Sequence, residues 1–297
     1  MARRKIVDAH HHLWDLGHGY QYPWLQDRQT GESMLGDLKP IVRDYLPVDY
    51  LADTADYEIA GTVHVEAVPK DAVAETRWLD VVAPPAGLGQ VVVAHADLTV
   101  PDVDSVLAAH AAFPRVRGIR QIVNWHTNPG LTFTSRDLLQ DDVWRGNFAL
   151  LRKYGFSFDL QLYASQMEAA AALAARHPDT MLIVNHTGMP LARDADGVAA
   201  WRAGMKRLAA EDNVAVKISG LGMVDHGWSE ASIRPYVLAA IDLFGVERAM
   251  FGSNFPVDRL YGSFTGLYRA FESIVAGFSE DEKNRLFHDN ALRIYRF

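Results

Sequence analysis

Two hydrophobic rhythms alternate along the chain. Short apolar runs rich in β-branched residues recur at Lys5–His10, Ile59–Glu66, Gln90–Asp97, Arg117–Val123, Gly155–Leu162, Met181–His186, Asn213–Ser219 and Arg248–Asn254. Most are followed by Ala- or Leu-rich stretches with helical spacing, as at Pro101–Ala112, Gln166–Arg176, Val198–Ala210 and Ile233–Phe244, and a last helix is expected over Glu280–Tyr295. This alternation is the pattern of βα units, in which parallel strands are joined by right-handed crossovers. Eight strands predict an α/β fold of the (β/α)8 (TIM) barrel type, distorted by its insertions; six or seven would have suggested an open doubly wound sheet. No linker composition interrupts the series, so residues 1–297 are expected to form a single barrel domain. The longest insertion, residues 18–47, follows the first strand and is expected to cover an active site at the C-terminal ends of the strands.

Strands buried on both faces should read as continuous Val, Ile and Leu, so a polar group near a strand end is the exception that needs a reason. Every predicted strand carries one. His10 and His12 end the first, His64 and Glu66 the second, His95 and Asp97 the third, and Arg120 and Asn124 the fourth. Asp159 and Gln161 end the fifth, His186 the sixth, Lys217 and Ser219 the seventh, and Asn254 the eighth. Strand side chains alternate with period two, which groups Ile6, Asp8, His10 and His12 on one face of the first strand and Thr62, His64 and Glu66 on one face of the second. These sets, with His95 and His186, are expected to point into the barrel, where barrel enzymes build their active sites. His11 is expected to face the other way as a packing residue.

Composition narrows the chemistry. The 297 residues include twelve histidines and no cysteine, so disulfides, thiol nucleophiles and thiolate metal sites are excluded, and any metal must use His and carboxylate ligands. A net charge of −8, with the densest basic cluster confined to Arg3–Lys5, argues against nucleic acid or an anionic membrane as partner. No apolar run reaches the roughly 18 residues of a membrane span, and the residues after the basic cluster lack the apolar core of a secretory signal. A cytoplasmic protein acting on a small molecule is expected, with homo-oligomerisation left open.

Val7–Asp15 (Val-Asp-Ala-His-His-His-Leu-Trp-Asp) resembles the opening of the amidohydrolase superfamily, in which His-x-His follows the first strand. In order there follow Tyr22–Leu25, Gly118–Arg120, Phe158–Leu160, Val184–Pro190 (Val-Asn-His-Thr-Gly-Met-Pro), Lys217–Gly220, Met250–Asp258 (Met-Phe-Gly-Ser-Asn-Phe-Pro-Val-Asp) and Asn290–Tyr295. Together they resemble the amidohydrolase-related branch that contains sugar lactonases and 2-pyrone-4,6-dicarboxylate lactonase. The resemblance implies that His10 and His12 either ligate a divalent metal or hydrogen-bond a substrate carbonyl, and that His186 polarises a lactone carbonyl. It also implies that Arg120 binds a substrate carboxylate and that Trp24 packs against substrate; from their places at strand ends Glu66, His64 and Gln161 are expected as further substrate contacts, with Glu66 alternatively capping a loop or pairing with Arg120.

Two departures matter. A binuclear metal centre would need a Lys or Glu bridge on strand four and a His on strand five, where this chain has Arg120 and Asp159 or Gln161. A metal would therefore be a single Zn²⁺ or Mn²⁺ on His10, His12 and His186, or absent. On strand eight, where hydrolytic members carry a water-activating Asp, this chain has Asn254, an amide without comparable basicity. Asp159, His64, Asp258 or a metal-bound hydroxide would have to replace that base. The expected activity is a hydrolase that opens a sugar-acid or dicarboxylate lactone. The alternatives are a lactone isomerase or decarboxylase-type reaction without an activated water, and a non-catalytic ligand-binding barrel.

Overall fold

A computed structural model describes residues 3–27, 34–83 and 88–297. Its eight strands are β1 (Lys5–His11), β2 (Glu58–Val65), β3 (Val91–His95), β4 (Val116–Arg120), β5 (Ser157–Leu160), β6 (Leu182–Val184), β7 (Val214–Ile218) and β8 (Ala249–Phe251). They pair in sequence order, each parallel to the next. The sheet closes between β8 and β1, where His12 N donates to Phe255 O and Asn254 N donates to His10 O, both at 2.7 Å. Helices such as Ala72–Val82, Val103–Ala111, Met167–Arg176, Ala195–Ala209 and Glu230–Phe244 lie between the strands, so the molecule is a (β/α)8 barrel. The expected last helix is present but uneven: α-helical turns Glu280–Asn284 and Asn290–Tyr295 flank a π-helical segment, Arg285–Asp289.

The barrel interior corrects the period-two assignment. Its apolar filling is Val7, Ala9, Val63, Val65, Val91, Val93, Ile183, Ala215 and Met250, to which the closing helix adds Ala291, Ile294 and Tyr295. Ile6 instead belongs to the cluster shared with the helices. Asp8 also faces outward, accepting from Tyr50 Oη at 2.8 Å and Ser253 Oγ at 2.6 Å. The parity breaks at a register shift between Asp8 and His11, a bulge that re-aims the side chains beyond it. His10 and His12 thereby turn inward, and His11 packs on Tyr50 outside. On β2 the register shifts earlier, between Ile59 and Gly61, and no break falls from Thr62 to Val65. Val63 and Val65 hold the inner face, so Thr62 and His64 point to the helix layer, where Thr62 Oγ1 accepts from Gly89 N.

Part of the first insertion lies at the C-terminal ends of the strands. It contributes the short helix Pro23–Gln26 and the side chains of Trp24 and Leu35 to the mouth of the barrel, while residues 28–33 of that insertion lie outside the described residues. Among the described residues, no helix is long and apolar enough to cross a membrane.

Candidate active site

A cavity of about 340 Å³ opens at the C-terminal ends of the strands, walled by His12, Glu66, His95, Arg120, Gln161, His186 and Asn254. Its apolar side is built by Trp24, Leu35, Ile122, Phe133, Met223 and Val257. Each polar group arrives there for a local reason. Glu66 shares the parity of His64 but lies one residue beyond β2, where the chain turns through Val68 in the left-handed region (φ 55°). Gln161 likewise follows the last residue of β5. Trp24 is fixed by its indole N–H, which donates to Ala67 O at 2.7 Å.

His186 sits in a turn where it and Thr187 both have positive φ (53° and 55°). Its ring is backed by Gly220, at φ +60°, where any Cβ would collide with Nδ1. Nδ1 lies 3.1 Å from Ser219 Oγ, which leaves Nε2 for a ligand. Asn254, also left-handed at φ 57°, has Oδ1 3.3 Å from His12 Nε2 and donates from Nδ2 to Asp258 Oδ1 at 2.9 Å.

The electrostatics are those of paired charges and neutral imidazoles. Arg120 Nε donates to Glu66 Oε1 at 2.5 Å, Nη2 to Glu66 O at 2.5 Å and Nη1 to Gln161 Oε1 at 3.4 Å. Burial alone would raise the Glu66 carboxyl, but Arg120 and His95 hold it well below the usual carboxylate range. Burial, followed by the Arg120 charge, pushes His12 down to about 4. Burial and the surrounding cations Lys217 and Arg120 likewise lower His10, and burial with Arg120 lowers His186. All three imidazoles are neutral at pH 7. Burial pushes the Asp258 carboxyl up to about 7.

Three of the expected site residues do not line the cavity. His64 is wholly buried behind the barrel wall, its Nε2 3.4 Å from Leu13 O and its ring edge-on to His11, because Val63 and Val65 occupy the inner face. It cannot reach the cavity. Asp159 does point inward but lies beneath the cavity, bound by Lys217 Nζ at 2.5 Å, Asn185 Nδ2 at 2.9 Å and Tyr295 Oη at 2.9 Å. A carboxylate so committed is not a free base for water. His10 is also below the floor, its ring 5.0 Å from that of His12 and 4.6 Å from that of His186. Sequence reasoning put Lys217 at the end of the seventh strand without a partner and gave Tyr295 no role; nothing in a closing Ile-Tyr pair signals that its hydroxyl enters the barrel.

A divalent ion does not fit the donor set proposed for it. Among the described residues the only cluster of three ligating atoms within reach of one ion is Asp15, His18 and Asp44, in loops away from the cavity and partly exposed; His10, His12 and His186 do not form one. The ammonium of Lys217 lies 3.5 Å from His10 Nδ1. Because an ammonium only donates, it calls for a lone pair there and so puts the ring proton on Nε2, the atom a metal would need bare.

This geometry, a closed parallel barrel with imidazoles and an arginine at its strand ends, defines a barrel enzyme of the amidohydrolase kind. The chain belongs to the amidohydrolase family, whose model matches residues 7–297, and it is an enzyme of hydrolase type. It is 44% identical over 302 residues to uncharacterized protein y4mH of Sinorhizobium fredii, covering all of both chains. It is 31% identical to an L-fucono-1,5-lactonase of Burkholderia ambifaria, covering 98% of this chain and 95% of that one. An amidohydrolase of Burkholderia multivorans, solved with bound HEPES and with bound zinc, superposes with TM-scores of 0.82 and 0.81 at 26% identity, over 98% of this chain and 99% of that one.

Proposed function

We propose that the protein opens a small, uncharged lactone by adding water to the ring carbonyl. One observation carries this reading: among the described residues the only fixed charges on the cavity wall, Glu66 and Arg120, are bound to each other, so these residues offer hydrogen bonds and an apolar flank but no unpaired cation for a substrate carboxylate. A sugar-acid lactone fits that balance better than a dicarboxylate, and the relatives named L-fucono-1,5-lactonase support it.

His186 Nε2 and the Arg120 N–H groups not used by Glu66 face the carbonyl oxygen and stabilise its developing charge. His12 is the base. Its Nδ1 lies 2.7 Å from Val65 O, which can only accept, so the proton sits on Nδ1 and Nε2 keeps its lone pair. A water on the cavity side of His12 Nε2 and Asn254 Oδ1 loses one proton to His12 as its oxygen bonds to the carbonyl carbon. The tetrahedral adduct collapses with cleavage of the ring C–O bond, and the leaving alkoxide takes the proton back from His12. The product is a hydroxy acid, which ionises and acidifies the medium.

Incubation with a panel of hydroxylated and carboxylated lactones in weak buffer with a pH indicator tests this. Acid release is expected from uncharged hydroxylated rings, weaker release from dicarboxylated ones, and loss of release in His12→Gln and His186→Gln. Absence of release from every uncharged lactone overturns the reading. A second reading, isomerisation of a lactone without free water, is favoured by the amide at 254, with its carboxylate neighbour Asp258 set behind it. NMR of the reacted substrate separates the two, since ring migration conserves the lactone.

A further inference from the structure

His10 and His12 stand at alternate positions of the same strand end with their Nε2 atoms 3.3 Å apart. The groups behind the two rings are opposite in kind. Behind His12 is the Val65 carbonyl, which fixes the proton on Nδ1. Behind His10 is the ammonium of Lys217, 3.5 Å from Nδ1, which requires Nδ1 bare and the proton on Nε2.

Lys217 cannot readily turn away. It is fully buried, its Nζ lies 2.5 Å from Asp159 Oδ1 and 4.9 Å from the centre of the Tyr295 ring, and Asp159 is itself held by the Tyr295 hydroxyl at 2.9 and 3.0 Å and by Asn185. A continuous run of buried contacts thus leads from the C-terminal helix to the floor of the cavity.

We propose that Lys217, braced by Asp159 and Tyr295, makes His10 a fixed hydrogen-bond donor opposite His12 as a fixed acceptor, so that Lys217 is a positioning residue for the site. At 3.3 Å the His10 N–H donates directly to the bare Nε2 of His12, with no room for an oxygen between them. The catalytic consequence rests on the lactone-opening reading above: from beneath the cavity floor the His10 N–H orients the His12 imidazole, and that contact is given up when His12 receives the proton of water. The geometry itself does not depend on that reading.

The test is ¹⁵N NMR of histidine-labelled protein without substrate, which distinguishes protonated from bare ring nitrogens, with His10→Gln and His12→Gln for assignment. The expected result is opposite tautomers, Nε2–H on His10 and Nδ1–H on His12. The variant Asp159→Asn with Lys217→Met removes both charges of the buried pair together, so neither is left alone. It is expected to lose the fixed His10 tautomer and, on a lactone the parent turns over, to lower kcat on the order of a hundredfold, the low end of what a well-oriented general base contributes, with KM little changed. The same tautomer on both rings of the parent overturns the proposal, as does a folded double variant that keeps both the His10 signals and kcat. A protein inactive on every lactone fails the reaction reading alone, because the ring nitrogens are read without substrate.

Discussion

Asn254 Nδ2 donates to Asp258 Oδ1 at 2.9 Å, and this bond turns the amide oxygen of Asn254 toward His12. The site thus contains a carboxyl group near the strand-eight position, but one residue pair removed from the cavity. Asp258 is fully buried, and burial pushes it up to about 7, above its value of 3.8 in an unfolded chain.

A raised carboxyl binds more protons in the folded state between those two values, so it costs stability as pH rises through that window. Asp258→Asn is therefore expected to melt close to the parent at pH 4 and above it at pH 8, by an amount on the order of 1–3 kcal/mol. Thermal or urea melts across pH 4–8 check this; a constant difference at all pH values contradicts it.

Asn254→Asp sets a second carboxyl against Asp258. Two carboxyls in hydrogen-bond contact share one proton, and one of them stays protonated well above its ordinary range. The variant is expected to lose about 1–3 kcal/mol at pH 8 relative to pH 5, and Asn254→Asp with Asp258→Asn is expected to recover it. Urea midpoints at the two pH values measure both.

His11 and His64 form a buried pair outside the barrel wall, with both ring nitrogens of His11 and Nδ1 of His64 lacking a hydrogen-bond partner among the described residues. Burial lowers His11 to about 3 and His64 well below its ordinary 6.5. The sign follows from linkage: below pH 6.5 the unfolded chain binds protons that the folded pair refuses, so stability falls with pH from 6.5 down toward 3. His11→Gln is expected to flatten that slope by about 1.4 kcal/mol per pH unit, one proton's worth. Unfolding free energies at pH 4.5, 5.5 and 6.5 supply the slope.

Arg120 and Glu66 are both buried, and each is the other's main charge partner. Arg120→Met leaves a carboxylate in the barrel mouth with only His95 nearby, and about 3–5 kcal/mol of stability should be lost. Glu66→Gln with Arg120→Met should recover most of it without restoring lactone turnover. Denaturant melts and the indicator assay separate the structural from the functional loss.

Gly220→Ala forces a methyl group against the His186 ring, at a backbone conformation (φ +60°) that only glycine adopts freely. If His186 polarises the carbonyl, kcat should fall by about a hundredfold or more while apolar ligand binding persists. Steady-state kinetics with a binding measurement checks this.

Much of this protein is determined by sequence alone. Eight β-branched runs separated by helical spacing suffice for a parallel barrel, because strands covered on both faces must be apolar throughout and crossovers have one hand. The same logic marks His12, Glu66, Arg120, Gln161, His186 and Asn254 as exceptions at strand ends, and all of them line the cavity. Tertiary structure decided what period two could not. A bulge in β1 reverses the parity, so that Asp8 faces the helices while His10 turns inward, and no bulge rescues His64 on β2. Asp159, an isolated acid in sequence, is bound by a lysine 58 positions later and a tyrosine 136 positions later. Hydrogen bonds of that range depend on how the barrel closes, and a linear pattern carries no record of closure.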